Sequence, residues 1–325
     1  MFSFKEDPKY EFIAVVLLVF FVAVLSIGAV FTNSESFLQG IGVKNDFKAS
    51  IYEVAKAENF QEKTADSQKE ENPRAIYAKS ALSVEFNKSG ENILFAKNQN
   101  IKLPIASLAK LMTALVVLEN YDLSWQAEIS PQTMEQEGVQ GVLKEGEVLS
   151  VENLLYIMLI ESSNRAAFAL SEILGTDKFT GLMNLKAEEI GLESTDFKDA
   201  TGLNADSYST AGDIYKLSRY LFENYPLFSK IISLEEYELY LPSGAFHHKL
   251  ENTNKLLKEF KNIIGGKTGF TLRAKGCFMA IQENKERGTH SIHVILGSDN
   301  REGEMRKLIS DANLQMHANY TNKKQ

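Results

Sequence analysis

Cysteine is almost absent from this chain of 325 residues: Cys277 is the single copy, so no disulfide can form within the chain. One thiol cannot build a cysteine-based zinc site either. The five histidines show no H-E-x-x-H spacing, and we expect them to be surface or strand residues. They are His247, His248, His290, His293 and His317. The sequence therefore predicts neither a metal centre nor a cofactor. It also has no obvious nucleophile-elbow motif of the kind that carries the serine of a Ser-His-Asp triad.

A surplus of positive charge is also missing. The formal net charge is −8 at pH 7, and the sequence pI is near 5.4. Recognition of phosphate groups needs a basic face, so this balance excludes a nucleic-acid binder. At this length the chain can hold one large domain or two small ones.

One long apolar run is present, from Phe12 to Phe31, and it contains no charged residue. About 20 residues at about 1.5 Å each match the roughly 30 Å of a bilayer core. The alternative is a cleaved signal peptide, whose apolar stretch is about 7–15 residues long. Because Ile27–Phe31 is a poor cleavage site, we predict a transmembrane anchor at residues 12–31 in the lipid bilayer. Residues 1–11 are then cytoplasmic, and the rest of the chain lies outside.

The segment of residues 32–74 is predicted to be a polar stalk, because its later half has too little apolar surface to order itself. The folded domain is expected at residues 75–320, followed by a short tail at 321–325. Strand patterns occur at both ends of this domain, including a hairpin around the turn at residues 87–91 and two β-rich runs, 276–281 and 291–296. Helical patterns lie between them and at the C-terminal end. These helical segments are residues 108–118, 151–160, 165–174, 182–190, 213–225 and 303–320. We therefore predict an α/β (α+β) fold with one antiparallel sheet of about five strands flanked by helices.

Ser107 and Lys110 lie at the start of a helix that is apolar on every side from Leu108 to Leu118. Positions i and i+3 face the same side of a helix, so the hydroxyl and the amine can meet. Burial lowers the pKa of a lysine and makes a neutral amine available as a base, while the helix N-terminus favours a developing oxyanion. This pattern predicts an activated serine nucleophile. Taken alone it also fits a capping serine and a lysine that reaches solvent.

Two further motifs follow in order, Ser162-x-Asn164 and Lys267-Thr268-Gly269. Acyl transfer needs the nucleophile, its base and a second hydroxyl to carry a proton to the leaving amine, and Ser162 can supply that hydroxyl. The amide of Asn164 can grip a substrate carbonyl and orient Lys110, and Lys267 and Thr268 can face a substrate carboxylate. Gly269 leaves room for substrate beside the strand. The oxyanion hole is then supplied most simply by the backbone N–H groups of Ser107 and Phe270.

This ordered set resembles serine-type D-alanyl-D-alanine carboxypeptidases, which are low-molecular-mass penicillin-binding proteins. The resemblance runs from about Ile76 to Tyr320 and includes the segments 141–147 and 200–203. It implies hydrolysis of the terminal D-Ala-D-Ala bond of peptidoglycan stem peptides through a Ser107 acyl-enzyme. It also implies covalent inhibition by β-lactams.

The second motif departs from the family pattern at Ser163, where glycine is common, and at Arg165, where aspartate is common. We expect this bulkier loop to narrow the cleft. Cys277 is interpreted as a packed strand residue. A β-lactamase of class A would need a glutamate at the position of Ala200, so an efficient lactamase is disfavoured. An endopeptidase that cuts peptidoglycan crosslinks with the same residues, and an inactive wall-binding homologue, remain alternatives.

Overall fold

The computed structural model describes residues 75–323, with side chains described as far as Met316. The predicted anchor (12–31), its cytoplasmic flank (1–11) and the predicted stalk (32–74) lie outside the described residues. Within the described part of the chain, none of the helices combines the length and the apolar content that a bilayer crossing requires.

The centre of the fold is a five-stranded antiparallel sheet, as predicted, and its strands follow the order β2-β1-β11-β10-β9. Its strands are β1 (Ser80–Asn87), β2 (Gly90–Lys97), β9 (Ile263–Thr271), β10 (Lys275–Asn284) and β11 (Thr289–Ser298). The remaining strands form two-stranded ladders outside this sheet. They are β3 (Leu103–Pro104), β4 (Gln126–Glu128), β5 (Val148–Ser150), β6 (Tyr208–Ser209), β7 (Glu236–Tyr240) and β8 (Phe246–Glu251). The two ends of the domain therefore meet in one sheet.

Nine helices accompany the strands in residues 75–323. They are α1 (Ala109–Asn120), α2 (Pro131–Met134), α3 (Val151–Ile160), α4 (Asn164–Glu172), α5 (Thr176–Glu189), α6 (Ala211–Asn224), α7 (Pro226–Ser233), α8 (Leu256–Glu259) and α9 (Arg301–Lys323). A single 3₁₀ turn, Ala106–Leu108, precedes α1. The predicted helices of the middle segment and the predicted C-terminal helix are confirmed.

Both faces of the sheet are covered, because successive strand side chains point to opposite sides. On β10, Met279 and Ile281 pack into the main core with the middle helices. Phe278 and Ala280, between them in sequence, pack on the other face against α8 and α9. Helix α1 lies inside the main core, with every residue from Ala109 to Val117 buried. The prediction of a helix without a solvent-exposed face is confirmed.

The β7–β8 hairpin was not predicted. Its strands are short, and their burial pattern is mostly exposed or half-buried. In β7 exposed and covered residues alternate, but the pattern is only five residues long, and in β8 the only buried residue is Leu250. Helix α6 ends at Asn224, shortly before Pro226. Pro226 is itself the first residue of α7, a position where the missing N–H of proline costs no hydrogen bond.

Buried polar side chains on three neighbouring strands are hydrogen-bonded to one another around His293 on β11. Ser83 Oγ on β1 lies 2.9 Å from His293 Nδ1, and Gln282 Oε1 on β10 lies 3.0 Å from His293 Nε2. The amide nitrogen of Gln282 donates to Asn313, so its oxygen faces the imidazole and accepts the Nε2–H. Burial lowers the pKa of His293 to about 3, so the ring is neutral at pH 7.

We expect this histidine to make the protein less stable in acid. Between about pH 6 and pH 3 the unfolded chain binds a proton that the folded chain does not, so the free energy of unfolding falls as pH falls. The contribution of one such group is about 1.4 kcal/mol per pH unit. Urea unfolding at a series of pH values should show a shallower slope for His293→Gln than for the wild type. His290→Gln, on the same strand but half-buried, should keep the wild-type slope; equal slopes for all three proteins would contradict this assignment.

Candidate active site

Ser107 lies in the 3₁₀ turn that leads into α1, and Lys110 lies in the first turn of that helix. Lys110 Nζ is 3.0 Å from Ser107 Oγ, 2.6 Å from Asn164 Oδ1 and 2.6 Å from the carbonyl oxygen of Thr201. The lysine side chain is fully buried. The predicted meeting of the hydroxyl and the amine is therefore present, and two further groups complete the surroundings of the amine.

The three contacts of Lys110 match the hydrogen-bonding capacity of a neutral amine. Asn164 Oδ1 and Thr201 O can only accept, so the amine must donate one N–H to each. A neutral amine has one remaining lone pair, and the third contact, Ser107 Oγ, is the only one of the three that can donate a hydrogen to it. Burial lowers the pKa of Lys110 to about 7, and the charge of Asp199 partly opposes this shift. In the neutral form of the amine, the lone pair is thus directed at the serine hydroxyl.

The Thr201 carbonyl is held in place by a loop at residues 199–204. The Asp199 carboxylate accepts backbone N–H groups of Thr201 at 2.7 Å and of Asn204 at 2.6 Å. Gly202 has a φ of +79°, and a Cβ there would lie 2.0 Å from the carbonyl oxygen of Ala106. The loop therefore packs tightly against the turn that carries Ser107.

Ala200 lies in the same loop and anchors it to α1. Its carbonyl oxygen accepts the Thr113 hydroxyl at 2.6 Å, and its side chain is buried. This is the position at which a class A β-lactamase would need its glutamate, and here it contributes a methyl group and a backbone carbonyl.

Ser162 and Asn164 lie where α3 ends and α4 begins. Ser162 has a φ of +63°, an unfavourable conformation for a residue other than glycine. Asn164 lies at the start of α4 and bridges two parts of the site: Oδ1 accepts from Lys110, and Nδ2 donates to the Glu137 carbonyl at 2.8 Å. The predicted contact of Asn164 with Lys110 is therefore present.

The expectation that Ser163 would narrow the cleft is wrong. Its side chain is fully buried, where its hydroxyl caps α4 by accepting from Ala166 N and donates to the Gln140 carbonyl at 2.7 Å. Arg165 is turned toward the carbonyl of Gln136, at 3.4 Å. The side chain that replaces glycine thus tightens the loop before α3 rather than filling the cleft.

Lys267 lies on β9, the edge strand of the sheet, and its side chain is fully buried. Nζ donates to Ser162 Oγ at 2.6 Å and to the Thr268 carbonyl at 2.9 Å. Burial, followed by the charges of Lys110 and Arg301, holds the pKa of Lys267 well below its usual range. The Thr268 hydroxyl donates to Thr253 Oγ1 at 2.8 Å. The second and third motifs are therefore joined by a direct hydrogen bond.

Gly269 lies where β9 passes the nucleophile. A Cβ at this position would be 2.9 Å from Ser107 N and 3.2 Å from the Cβ of Ala106, so a side chain would push the strand away from the serine. Phe270 follows on the same strand with its side chain 59% exposed. The backbone of Gly269 therefore lies close to the amide nitrogen of Ser107. An oxyanion hole formed by the N–H groups of Ser107 and Phe270 stays a prediction.

Four contributors to the site were not predicted. Two are backbone carbonyls, of Thr201 and Glu137, and a carbonyl has no residue-type signature. The third, Thr253, lies between β8 and α8, outside the three motifs. The fourth is Arg301 at the start of α9, whose guanidinium donates to the Gly269 carbonyl at 2.9 Å. The described residues contain no group of three or more His, Cys, Asp or Glu side chains arranged to hold a metal ion.

Comparison with known proteins agrees with this geometry. A family model described as D-alanyl-D-alanine carboxypeptidase, Peptidase_S11, matches residues 66–300. The chain is 34% identical over 230 residues to the D-alanyl-D-alanine carboxypeptidase DacF of Bacillus subtilis, covering 68% of this chain and 57% of that protein. It is 33% identical over 210 residues to a D-alanyl-D-alanine endopeptidase of Escherichia coli, covering 63% of this chain and 66% of that protein. The chain thus spans less than two thirds of the length of these relatives.

Solved structures give the same result. A C98N mutant of the Streptomyces K15 DD-transpeptidase superposes with a TM-score of 0.68 at 26% identity, covering 75% of this chain and 99% of that one. Penicillin-binding protein D2 of Listeria monocytogenes in its ampicillin-bound form superposes with a TM-score of 0.64 at 30% identity, covering 73% and 99%. The chain, with its three motifs assembled around Ser107, belongs to the D-alanyl-D-alanine carboxypeptidase family of peptidases, Peptidase_S11.

Proposed function

We propose that this protein is a serine-type D-Ala-D-Ala carboxypeptidase that trims peptidoglycan stem peptides through an acyl-enzyme on Ser107. The observation that carries the proposal is the buried Lys110 amine, which contacts Ser107 Oγ, Asn164 Oδ1 and the Thr201 carbonyl. In its neutral form the amine donates to the last two and directs its lone pair at Ser107. A base in this arrangement is ready to accept the serine proton before any substrate arrives.

In the acylation step, Ser107 Oγ attacks the carbonyl carbon of the penultimate D-alanine while its proton passes to Lys110 Nζ. The carbonyl oxygen becomes an oxyanion, which accepts the backbone N–H groups of Ser107 and Phe270. Such preorganised donors are worth about 10²–10³-fold in rate each. The close approach of Gly269 to Ser107 is the contact that brings these two backbone segments together.

The leaving D-alanine needs a proton on its amine as the C–N bond breaks. Ser162 is the donor in this scheme and is resupplied with the proton that Lys110 took from Ser107, so that Lys110 is neutral again before deacylation. Lys267, which is hydrogen-bonded to Ser162, holds its hydroxyl in place. The amine of Lys267 and the hydroxyl of Thr268 can also donate hydrogen bonds to the terminal carboxylate of the substrate. An amide NH₂ has two hydrogens, so Asn164 can keep its bond to Glu137 and donate the second to a substrate carbonyl.

Deacylation repeats the sequence with water as the nucleophile and Lys110 as its base, which releases the shortened peptide and restores Ser107. Reaction of Ser107 with the ring carbonyl of a β-lactam follows the same first step and gives a covalent adduct. Because position 200 is alanine, a glutamate that activates water for fast lactam hydrolysis is missing from that position. We therefore expect β-lactams to act as slowly released inhibitors rather than as substrates.

The same residues also suit a DD-endopeptidase that cuts crosslinked stem peptides. This second candidate is supported by relatives in Escherichia coli and Pseudomonas aeruginosa, 33% and 34% identical, that are named D-alanyl-D-alanine endopeptidases. In both reactions the acyl group that Ser107 receives ends in D-alanine. The two candidates differ in the size of the leaving group.

For location, we propose that residues 12–31 anchor the protein in the cell membrane and that residues 32–74 hold the catalytic domain on the extracytoplasmic side. The length and the lack of charge of the apolar run support this placement. Peptidoglycan lies on that side of the membrane, within reach of a tethered domain.

The purified protein should release D-alanine from a pentapeptide ending in D-Ala-D-Ala and should be labelled covalently by a fluorescent penicillin. Ser107→Ala should abolish both, because no other side chain replaces the attacking oxygen. Release of D-alanine can be followed with a coupled oxidase assay, and labelling can be followed on a denaturing gel. A wild-type protein that does neither, or Ser107→Ala that is still labelled, would contradict the proposed function.

The two neighbouring serines of the second motif provide a matched pair. Ser162→Ala should lower the rate of D-alanine release by about 10²–10⁴-fold, the usual contribution of a proton-transfer group. Ser163→Ala should lose about 1 kcal/mol of stability, because a helix cap is removed, and keep its rate within about twofold. Equal losses of rate in the two variants would argue that Ser162 has no special part in proton transfer.

The rate of acylation should depend on pH through Lys110. Only the neutral amine accepts the serine proton, and a pKa of about 7 predicts that the rate rises about tenfold from pH 6 to pH 8. Stopped-flow measurement of penicillin binding gives this rate directly. Lys110→Ala should be about 10²–10⁴-fold slower. A wild-type rate that is flat over this range would contradict the role of Lys110 as a base.

The two candidate substrates can be separated by mass spectrometry of products from uncrosslinked and crosslinked muropeptides supplied at equal concentration. A carboxypeptidase should shorten the uncrosslinked pentapeptides at least about tenfold faster, a difference of about 1.4 kcal/mol in the activation free energy. Faster cleavage of the crosslinked dimer would instead identify the protein as a DD-endopeptidase.

A further inference from the structure

The loop at residues 136–142 lies beside the second motif and supplies no catalytic group. It is part of the connection between α2 and β5. Ser163 Oγ donates to its Gln140 carbonyl at 2.7 Å, and Asn164 Nδ2 donates to its Glu137 carbonyl at 2.8 Å. Two neighbouring side chains therefore tie this loop to the start of α4.

Arg165, the next residue along α4, makes a third contact with the loop. Its Nε donates to the Gln136 carbonyl at 3.4 Å. Ser163 and Arg165 are the two positions at which the second motif departs from the family pattern. Glycine and aspartate, the common residues there, have no side-chain donor, so neither of these two bonds could form with them.

The backbone of the 136–142 loop is held in conformations that most residues avoid. Val142 has a φ of +51°, which is unfavourable for a β-branched residue. Gly141 has a φ of +101°, and a Cβ there would lie 2.7 Å from Ile157 Cγ2 and 2.9 Å from Ser163 Oγ. A strained residue keeps its conformation only where its surroundings fix it. Packing and hydrogen bonds therefore hold the loop in place against the second motif.

Val139 is the exposed apolar residue of this loop that follows its contact with Asn164. Its side chain is 77% exposed. The preceding residue is Gly138, where a Cβ would lie 3.6 Å from Asn164 Nδ2. Consecutive Cα atoms are about 3.8 Å apart, so Val139 begins close to the same amide. An apolar side chain thus stands next to the group that holds a substrate carbonyl in the proposed function.

Asn164 also places the substrate relative to the loop. In the proposed acylation the scissile carbonyl lies in the oxyanion hole, and the terminal carboxylate is bound by Lys267 and Thr268. The next carbonyl along the peptide belongs to the residue that precedes D-Ala-D-Ala, and it accepts the free N–H of Asn164. The side chain of that residue is attached to the carbon atom next to this carbonyl, which brings it to the 136–142 loop.

The formal charges around the loop cancel. Glu135 and Glu137 are negative, and Lys144 and Arg165 are positive. The loop therefore has no net charge with which to select a charged side chain of either sign. The exposed apolar surface of Val139 is what remains for selection, and it favours a long aliphatic side chain.

We propose that Val139 selects substrates in which the residue before D-Ala-D-Ala has a long aliphatic side chain, by packing against that side chain. The 136–142 loop, attached through Ser163, Asn164 and Arg165, keeps Val139 in place for this contact. The proposal rests on the proposed function, because acylation of Ser107 sets the position of the peptide.

Three peptides that end in X-D-Ala-D-Ala, with L-alanine, L-norleucine or L-lysine as X, test this selection. In the wild type, kcat/KM should be about tenfold higher for norleucine and for lysine than for alanine, since each methylene group that leaves water contributes about fourfold. Val139→Ser should reduce this preference to about twofold, because most of the apolar contact is removed. Val139→Leu keeps an aliphatic side chain and should keep the preference.

The matched control is Val148→Ser. Val148 is 45% exposed and lies beyond the loop on β5, where it pairs with Glu128 of β4. This variant should keep the wild-type rates and the wild-type preference. Equal kcat/KM for the three peptides in the wild type, or an unchanged preference in Val139→Ser, would overturn the proposal. Release of D-alanine from none of the peptides would instead contradict the proposed function.

The contact itself can be observed without turnover, in Ser107→Ala protein labelled with ¹³C at the valine methyl groups. The Val139 signals are assigned by their loss in Val139→Leu. Addition of the norleucine peptide should shift these signals in a saturable way and leave those of Val148 unchanged. Saturable shifts at other valines with none at Val139 would overturn the proposal, whether or not the wild type is an active peptidase.

Discussion

The burial of the Lys110 amine is the constraint on which the rest of the site depends. An amine in this position is stable only if every N–H finds an acceptor, and the acceptors come from a side chain at the start of α4 and from a backbone carbonyl in the loop at residues 199–204. With these two acceptors in place, the third contact of the Lys110 nitrogen is the Ser107 hydroxyl. Packing, rather than the presence of a negative charge, is therefore what makes this lysine a base.

The sheet supplies the opposite wall of the site. Strand β9 is at the edge, so its backbone is available to a substrate, and Gly269 lets it lie against the turn of Ser107. Lys267 reaches from this strand to Ser162, which ties the wall to the helical side of the cleft. The catalytic groups thus depend on the register between β9 and the helices, and that register is fixed by core packing on both faces of the sheet.

Much of this arrangement could be predicted from the sequence, because each step of acyl transfer needs a particular side chain. The apolar surroundings of Lys110 predicted its burial, and the resemblance of the three ordered motifs to the family implied that Ser107, Ser162 and Lys267 would lie in one site. The contacts made by backbone carbonyls, at Thr201 and Glu137, could not be predicted, because any residue type can make them. The β-bulge at His247 in the β7–β8 hairpin could not be predicted because no residue type signals it, and Ser163 is buried by loop geometry that its residue type does not encode.

The ionisation of Lys110 tests this account most directly. Its side-chain signal can be followed by NMR in protein labelled with ¹³C at lysine Cε and assigned with a Lys110→Arg variant. The account predicts a titration midpoint of about 7, well below the value of about 10.4 for a free lysine. A midpoint near the free value would mean that the amine is a cation at neutral pH, and the assignment of Lys110 as the base that activates Ser107 would then be wrong.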